Sequence, residues 1–279
     1  MNHRFPQNTW RLIQTPPAAG AWNMAVDEAI LEAAGRKDVP PTLRHFAWTP
    51  PCLSIGYAQP FGDVDVARLS KRGWDVVRRI TGGRAILHAD ELTYSIIGPQ
   101  DEPCLAGSVI KSYQRLAQAL LRASLALGLP AEALPKTRNS ADMEGREPVC
   151  FEVPSHYEIT VHGKKLIGSA QARKKAGVLQ HGTLPLHGDL ARITQALVFP
   201  DEASRREAAQ RLLNRAVTVE SAIGYRVSWE QAAAAFTRAF AETLDLTLEP
   251  AKLTPAELAR ADELVDQKYA HPVWIERIK

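Results

Sequence analysis

Cysteine is scarce in this chain. There are three in 279 residues, Cys52, Cys104 and Cys150, odd in number and widely spaced. That argues against a disulfide framework and a cysteine zinc site, and makes the cytoplasm the expected compartment. No apolar run approaches the roughly 18 residues needed to cross a bilayer, so no membrane contact is expected. The first residues, Met1-Asn2-His3-Arg4-Phe5-Pro6, lack the apolar stretch of a signal peptide. Neither usual phosphate loop, GxxxxGK(S/T) or GxGxxG, occurs, and no HExxH pair offers a metal, so no metal site is expected. Charge of one sign is also missing. The net charge is +3 without a Lys/Arg block or a basic stripe, which gives no reason to expect nucleic acid. Internal repeats and low-complexity tracts are absent.

What remains is an ordinary globular composition, 45% hydrophobic and 23% charged, with length for one large domain or a domain plus an appendage. Asn23 to Ala34 reads as a helix capped by Asn23, with Ala25, Val26, Ala29, Ile30 and Ala33 as its apolar stripe. Thr42 to Ile55 is strand-like, broken by Pro50-Pro51. Trp74–Arg79 and Ala85–His88 flank Thr81-Gly82-Gly83 as strand, turn and strand. Leu92–Ile97 and Val178–Leu186 are further strands. Ser108 to Leu127 is the clearest helix: its apolar positions are spaced 4, 3, 4, 3, 4, and Gly128 follows. Lys136 to Pro148 reads as a surface loop. Tyr157, Ile159 and Val161 alternate with polar residues, and His162-Gly163 fits a hairpin turn into Lys164–Ala170. Asp201–Arg215 is helical. Ser228 and Thr254 each open a capping box, the second with Pro255 at the first helical position.

Cys150 lies in Glu147-Pro148-Val149-Cys150-Phe151-Glu152, and Lys165 follows in Gly163-Lys164-Lys165-Leu166-Ile167-Gly168-Ser169-Ala170. A nearby cation lowers a thiol's pKa, so the two make an acyl-transfer pair if the fold joins them. Without such a context a cysteine is a small buried hydrophobe, the reading kept for Cys52 and Cys104. Strand alternation puts Lys165, Ile167 and Ser169 on one face and Lys164, Leu166 and Gly168 on the other. One lysine then faces a site and the other water. Arg78-Arg79 and Arg84 around Gly82-Gly83 suit either an anion or a tight turn with solvated arginines. His88, His181 and His187 are acid–base candidates that read first as hydrogen-bonded structural histidines. The clusters Arg78-Arg79, Lys164-Lys165 and Arg173-Lys174-Lys175 offer positive charge to an acidic partner.

Taken in order, Asn23–Glu28, Arg78–His88, Gly163–Ala170 and His181-Gly182-Thr183 resemble the biotin/lipoate protein ligase superfamily, over about residues 10 to 190. Within it, Arg78–His88, Cys150-Phe151-Glu152 with Pro154-Ser155, Gly168-Ser169-Ala170-Gln171 and Leu179-Gln180-His181-Gly182 look most like the Bacillus-type octanoyltransferases. The resemblance implies an α+β fold of mixed β-sheets flanked by helices. Residues 1–250 would form the catalytic domain and 251–279 a small C-terminal helical extension, in a monomer. It implies octanoyl transfer from acyl carrier protein, through a Cys150 thioester assisted by Lys165, to a lysine of a lipoyl-domain protein such as the glycine-cleavage H protein. It implies substrate-binding roles for Arg79, Gly82, Gly83, His88, Gly168, Ser169, Ala170 and His181, with Gly82 and Gly83 lining an acyl tunnel and His88 supporting its wall. No cofactor is expected beyond the octanoyl-phosphopantetheine of the donor. An ATP- and magnesium-dependent lipoate-protein ligase is the alternative. Val149-Cys150-Phe151 stands where such ligases usually carry an Asn-Asp type sequence, and an adenylated carboxylate needs no nucleophilic cysteine. An amidotransferase that moves octanoyl from H protein to other lipoyl domains also uses a cysteine. A binding protein that has lost catalysis fits poorly with retention of Cys150 and Lys165.

Overall fold

The structure, a computed structural model, describes Phe5 and residues 8–134 and 158–279. Strand β1 (Thr9–Gln14) leads into helix α1 (Gly20–Gly35). This helix begins earlier than its sequence pattern predicts. Ala19 is the N-cap, and Asn23 is fully buried one turn inside. The Asn23 amide donates to Ala18 O at 3.1 Å and Ala47 O at 3.0 Å, so it ties the helix to the following loop instead of capping it.

Strands β2 (Thr42–Phe46) and β3 (Cys52–Ile55) are separated at Pro50-Pro51, as the sequence predicts. Helix α2 (Val66–Arg72) precedes β4 (Asp75–Arg78), β5 (Ile86–His88) and β6 (Glu91–Gly98). The predicted strand–turn–strand unit exists, but its strands do not pair with each other. They flank β3, parallel to β4 and antiparallel to β5, in a three-stranded sheet.

Helix α3 (Val109–Ala126) is capped by Ser108 and buries Leu116, Leu120 and Ala123, the centre of its predicted stripe. Then come β7 (Ala131–Leu134), β8 (Glu158–Val161), β9 (Lys164–Lys174) and β10 (Gly177–Pro185). The β8–β9 turn is made by His162 and Gly163, with φ of 50° and 74°, the left-handed pair a two-residue hairpin requires. Helices α4 (Glu202–Arg215), α5 (Val219–Ile223) and α6 (Trp229–Leu244), strand β11 (Thr247–Pro250), and helices α7 (Pro255–Leu264) and α8 (Pro272–Ile275) complete the chain. Ser228 and Thr254 both form the capping boxes their spacing predicts.

The main sheet has the order β11-β1-β2-β6-β10-β9-β8-β7. Its two faces do different work. Against one, α3 and α6 pack with Tyr94, Phe236 and Phe240 in the larger core. Against the other lies α1, with Met24, Ile30, Phe46 and Trp48 in a second core. The C-terminal helices join that second core. Tyr269 is buried in it, Arg11 meets Glu257 at 2.6 Å, and Lys268 meets Glu28 at 2.7 Å. Trp274 Nε1 donates to Arg78 O at 2.9 Å, and Arg78 Nε donates to Ile275 O at 2.8 Å, so α8 clamps the segment leading to the Gly82-Gly83 turn. Among the described residues no helix is long and apolar enough to cross a membrane.

Candidate active site

A slot opens between the α1 face of the main sheet and strand β5. Its walls include Met24, Trp48, Ile86 and Thr93, together with Gly168–Ala170 and His181–Thr183. Pairing explains this convergence. Gly168 lies opposite Thr183, and Ala170 opposite His181, so all four sit on one face where small residues leave room. Ser169 belongs to the other face and bonds the Tyr94 hydroxyl at 2.6 Å. Burial pushes the Tyr94 phenol up to about 12, so it serves only as a hydrogen-bonding group.

Arg79 is the hub of the polar groups around the slot. Its Nη1 donates to Ser54 Oγ at 2.7 Å, and its Nε donates to Thr81 Oγ1 at 3.3 Å. Ser54 Oγ is hydrogen-bonded to His88 Nε2 at 2.6 Å, and His88 Nδ1 meets Glu91 at 2.5 Å. Thr81 Oγ1 is hydrogen-bonded to His181 Nε2 at 2.7 Å, and His181 Nδ1 faces Asp27 at 3.4 Å. Two parallel relays of hydroxyl, imidazole and carboxylate thus hang from one guanidinium. Burial holds the His181 imidazole below its usual value, against the pull of Asp27. Burial opposes the charge on Asp27, but Arg44 at 2.7 Å, His181 and the Ser95 hydroxyl outweigh it and keep the carboxyl below its ordinary range. Trp48 stacks on His88 with ring centres 4.0 Å apart and donates to Thr93 at 2.8 Å, which fixes one wall.

The expected binding residues therefore divide. Arg79, His88, Gly168, Ser169, Ala170 and His181 all line the slot. Arg79 spends donors on Ser54 O, Gly82 O and Arg84 O as well, so it braces the turn. Gly82 and Gly83 are exposed beside Arg79 and Ala170 and are not in the wall. Gly83 is in the left-handed region (φ 90°), and Gly56 packs so close to it that a Cβ there would lie 1.9 Å from Gly83 O. His187 lies elsewhere, half-buried and 4.0 Å from Asp90. Cys52 is fully buried, and burial raises its thiol well above the usual value, as expected of a small buried hydrophobe. Cys150 falls outside the described residues, as does the loop expected at Lys136–Pro148.

Lys165 is buried, at 4% exposed, and its Nζ is 2.8 Å from Glu158 Oε1. Lys164 is the more exposed of the two and donates to Leu213 O at 2.8 Å. The alternation that assigned their faces needs correction. Ile159 pairs with Ile167 but Thr160 with Lys165, so Leu166 is an extra residue in β9. Such a bulge reverses the parity on one side of it. Lys165 consequently shares the face of Gly168 and Ala170, not that of Ile167 and Ser169.

Two residues of the Asn23–Glu28 motif have a role at the site that the sequence reading does not assign. Asn23 and Asp27 form a polar pair four residues apart on the apolar stripe of α1. Buried polar groups need partners, and both meet Arg44. That spacing is the clue that points to them. Among the described residues, no group of three or more His, Cys, Asp or Glu side chains is placed to hold a metal ion.

Residues 19–241 match the lipoyl protein ligase A/B catalytic domain. The chain belongs to that family. It is 42% identical to an octanoyltransferase LipM of Kyrpidia tusciae, over 95% of this chain and 98% of that one. It is 36% identical to the octanoyltransferase LipM of Bacillus subtilis, over 96% and 98%. Among solved structures of the family, a bipartite lipoate protein ligase of Thermoplasma acidophilum superposes with a TM-score of 0.80 at 26% identity, covering 97% of both chains. Lipoate-protein ligase A bound with ATP gives 0.76 at 26% identity, covering 98% and 100%. Octanoyltransferases and an ATP-bound lipoate-protein ligase are thus both similar to this chain, and the fold expected from the sequence is the one observed.

Proposed function

We propose that this octanoyltransferase takes its acyl group from acyl carrier protein and delivers it, through a thioester on Cys150, to a lysine of a lipoyl-domain protein. The relatives named octanoyltransferase, similar along nearly the whole chain, support the activity. The observation that carries the mechanism is Lys165. A buried ammonium is costly unless it is paired, and this one is held by Glu158 on the face that carries Gly168 and Ala170.

The Cys150 thiolate attacks the thioester carbonyl of the donor. The carrier's C–S bond breaks, and its prosthetic group leaves as a thiol, taking up the proton that Cys150 released on ionising. The acceptor amine then attacks the Cys150 thioester. A C–N bond forms, the second C–S bond breaks, and the amine's proton returns to the Cys150 sulfur. The Lys165 ammonium stabilises the oxyanion of both tetrahedral states by charge and hydrogen bonding. The slot receives the alkyl chain, each buried methylene contributing about 0.8 kcal/mol. The donor thioester is already activated, so the transfer needs neither nucleotide nor magnesium. The H protein of glycine cleavage is the expected acceptor, and the reaction is placed in the cytoplasm.

Intact mass after incubation with octanoyl-acyl carrier protein tests this directly. One octanoyl group should appear, be removed by hydroxylamine, and be absent from Cys150→Ser. Labelling that needs free octanoate, ATP and magnesium would identify a ligase. Labelling from octanoylated H protein but not from the carrier would identify an amidotransferase.

A further inference from the structure

Three cations converge on two aromatic rings beside the Gly82-Gly83 turn. The Arg277 guanidinium lies 4.1 Å from the centre of the Tyr57 ring and 5.0 Å from that of Trp274. Lys174 Nζ is 4.9 Å from Tyr57, and Lys268 Nζ is 4.3 Å from Trp274. The rings themselves are 5.9 Å apart. Val273, next to Trp274, is 75% exposed and adds an apolar spot. Lys268 meets Glu28, but neither Lys174 nor Arg277 forms an ion pair among the described residues. Stacking on the rings orders these side chains without cancelling their charge. Aromatic rings, arginine and an exposed aliphatic residue are the composition of a protein-docking surface.

The patch adjoins the turn that follows Arg79, a residue of the slot wall. Tyr57 N–H donates to Thr81 O at 2.9 Å, and the preceding Gly56 packs on Gly83. Lys174 shares its face of β9 with Ala170 and lies four residues further, about 13 Å along the strand. The arginines of the sequence's basic clusters are committed elsewhere. Arg78 and Arg79 are buried against carbonyl oxygens, and Arg173 is bonded to Leu105 O and Ser112.

We propose that Tyr57, Lys174, Lys268, Val273, Trp274 and Arg277 form the docking surface for the acidic carrier protein that donates the acyl group, its prosthetic arm passing over Gly82 and Gly83 into the slot. The proposal rests on the thioester-donor reading above and specifies where that donor sits. Distance selects donor over acceptor. An acceptor lysine has only a four-carbon stem, so its domain must sit over the reacting carbon near Lys165. Lys174 is nearly the length of β9 from Lys165, under about 30 Å. A donor reaching in on a long thin arm can rest that far away.

The test is calorimetric titration of the full-length enzyme with apo-acyl carrier protein, which carries no acyl group and needs no turnover. Lys174→Glu/Arg277→Glu should raise Kd about tenfold or more at low salt and flatten its salt dependence. Arg206→Glu, an exposed reversal on α4, should leave both unchanged. The double variant should keep its melting temperature and wild-type turnover of octanoyl-phosphopantetheine, a donor without the carrier protein. Unchanged carrier affinity, an equal loss in Arg206→Glu, or no detectable wild-type binding would overturn the proposal. So would a loss confined to titrations with a lipoyl domain, which would assign the surface to the acceptor. A loss already seen with octanoyl-phosphopantetheine would assign it to the arm's phosphate and overturn it too. Failure of the thioester reading looks different: carrier binding intact and dependent on these residues, with no octanoyl group on Cys150.

Discussion

Glu158 reaches across the β8–β9 pair to Lys165, carboxylate oxygen to ammonium at 2.8 Å, with the lysine almost sealed from water. The pair fixes the aim of a basic group on the face of β9 that carries Gly168 and Ala170. Glu158→Gln keeps the shape and removes the charge. It should destabilise the fold by about 1–3 kcal/mol, because a buried ammonium then loses this charged partner. Urea unfolding measures this; a loss below about 0.5 kcal/mol would mean that water already solvates the lysine.

Neighbouring lysines should behave oppositely in catalysis. Lys165→Ala is expected to reduce acyl transfer by at least about two orders of magnitude, the scale of losing one oxyanion donor. Lys164→Ala gives up a bond to a carbonyl at the surface and should reduce it little. Similar losses in single-turnover rates would show that the bulge at Leu166 does not set the facing of Lys165.

Arg79→Lys preserves the charge yet cannot reproduce the fork. One ammonium cannot supply Ser54, Thr81, Gly82 and Arg84 together. The expected result is about 2–3 kcal/mol of destabilisation and a lower kcat, because both histidine relays lose the donor that orients their hydroxyls. Loss of kcat without loss of stability would place Arg79 against substrate instead of against the turn.

Stability should also fall on mild acidification. His45 is fully buried edge-on to Phe236, and burial pushes its imidazole down to about 3. Unfolded, it takes up a proton near pH 6.5, and folded it refuses one. Stability is therefore complete above about pH 6.5 and declines by about 1.4 kcal/mol per pH unit towards pH 3 from this group. His181, also held low by burial, adds to the same slope below its unfolded value. His45→Phe should flatten the decline in urea titrations at pH 7.5, 6 and 5. An unchanged slope would mean that this histidine is solvated in the folded protein.

Local rules made much of this fold legible. The spacing of α3, the capping boxes at Ser228 and Thr254 and the His162-Gly163 hairpin depend on residues within a few positions of one another, and each is found as predicted. The ordered motifs also pointed to the residues that line the slot. What failed depends on partners distant in sequence. The faces of β9 were misassigned because a bulge is decided by how β8 pairs with β9, not by the alternation of β9 itself. Local pattern reads Asn23 as a cap because the loop carbonyl of Ala47 and the guanidinium of Arg44 are not adjacent to it in the chain. The Trp274–Arg78 clamp joins residues 196 apart, beyond the reach of any periodicity.

The outer edge of the main sheet has a kinetic consequence. Strand β11 pairs in parallel with β1, and Arg11 meets Glu257 across 246 residues of chain. Closing so large a loop costs entropy before any contact repays it, and parallel pairing offers no short-range nucleus. The hairpins β8–β9 and β9–β10 join in the reverse circumstances, strand to adjacent strand through tight turns. Refolding should therefore register the middle of the sheet early and its β1–β11 seam late. During that interval β1 exposes an unsatisfied backbone edge to other chains.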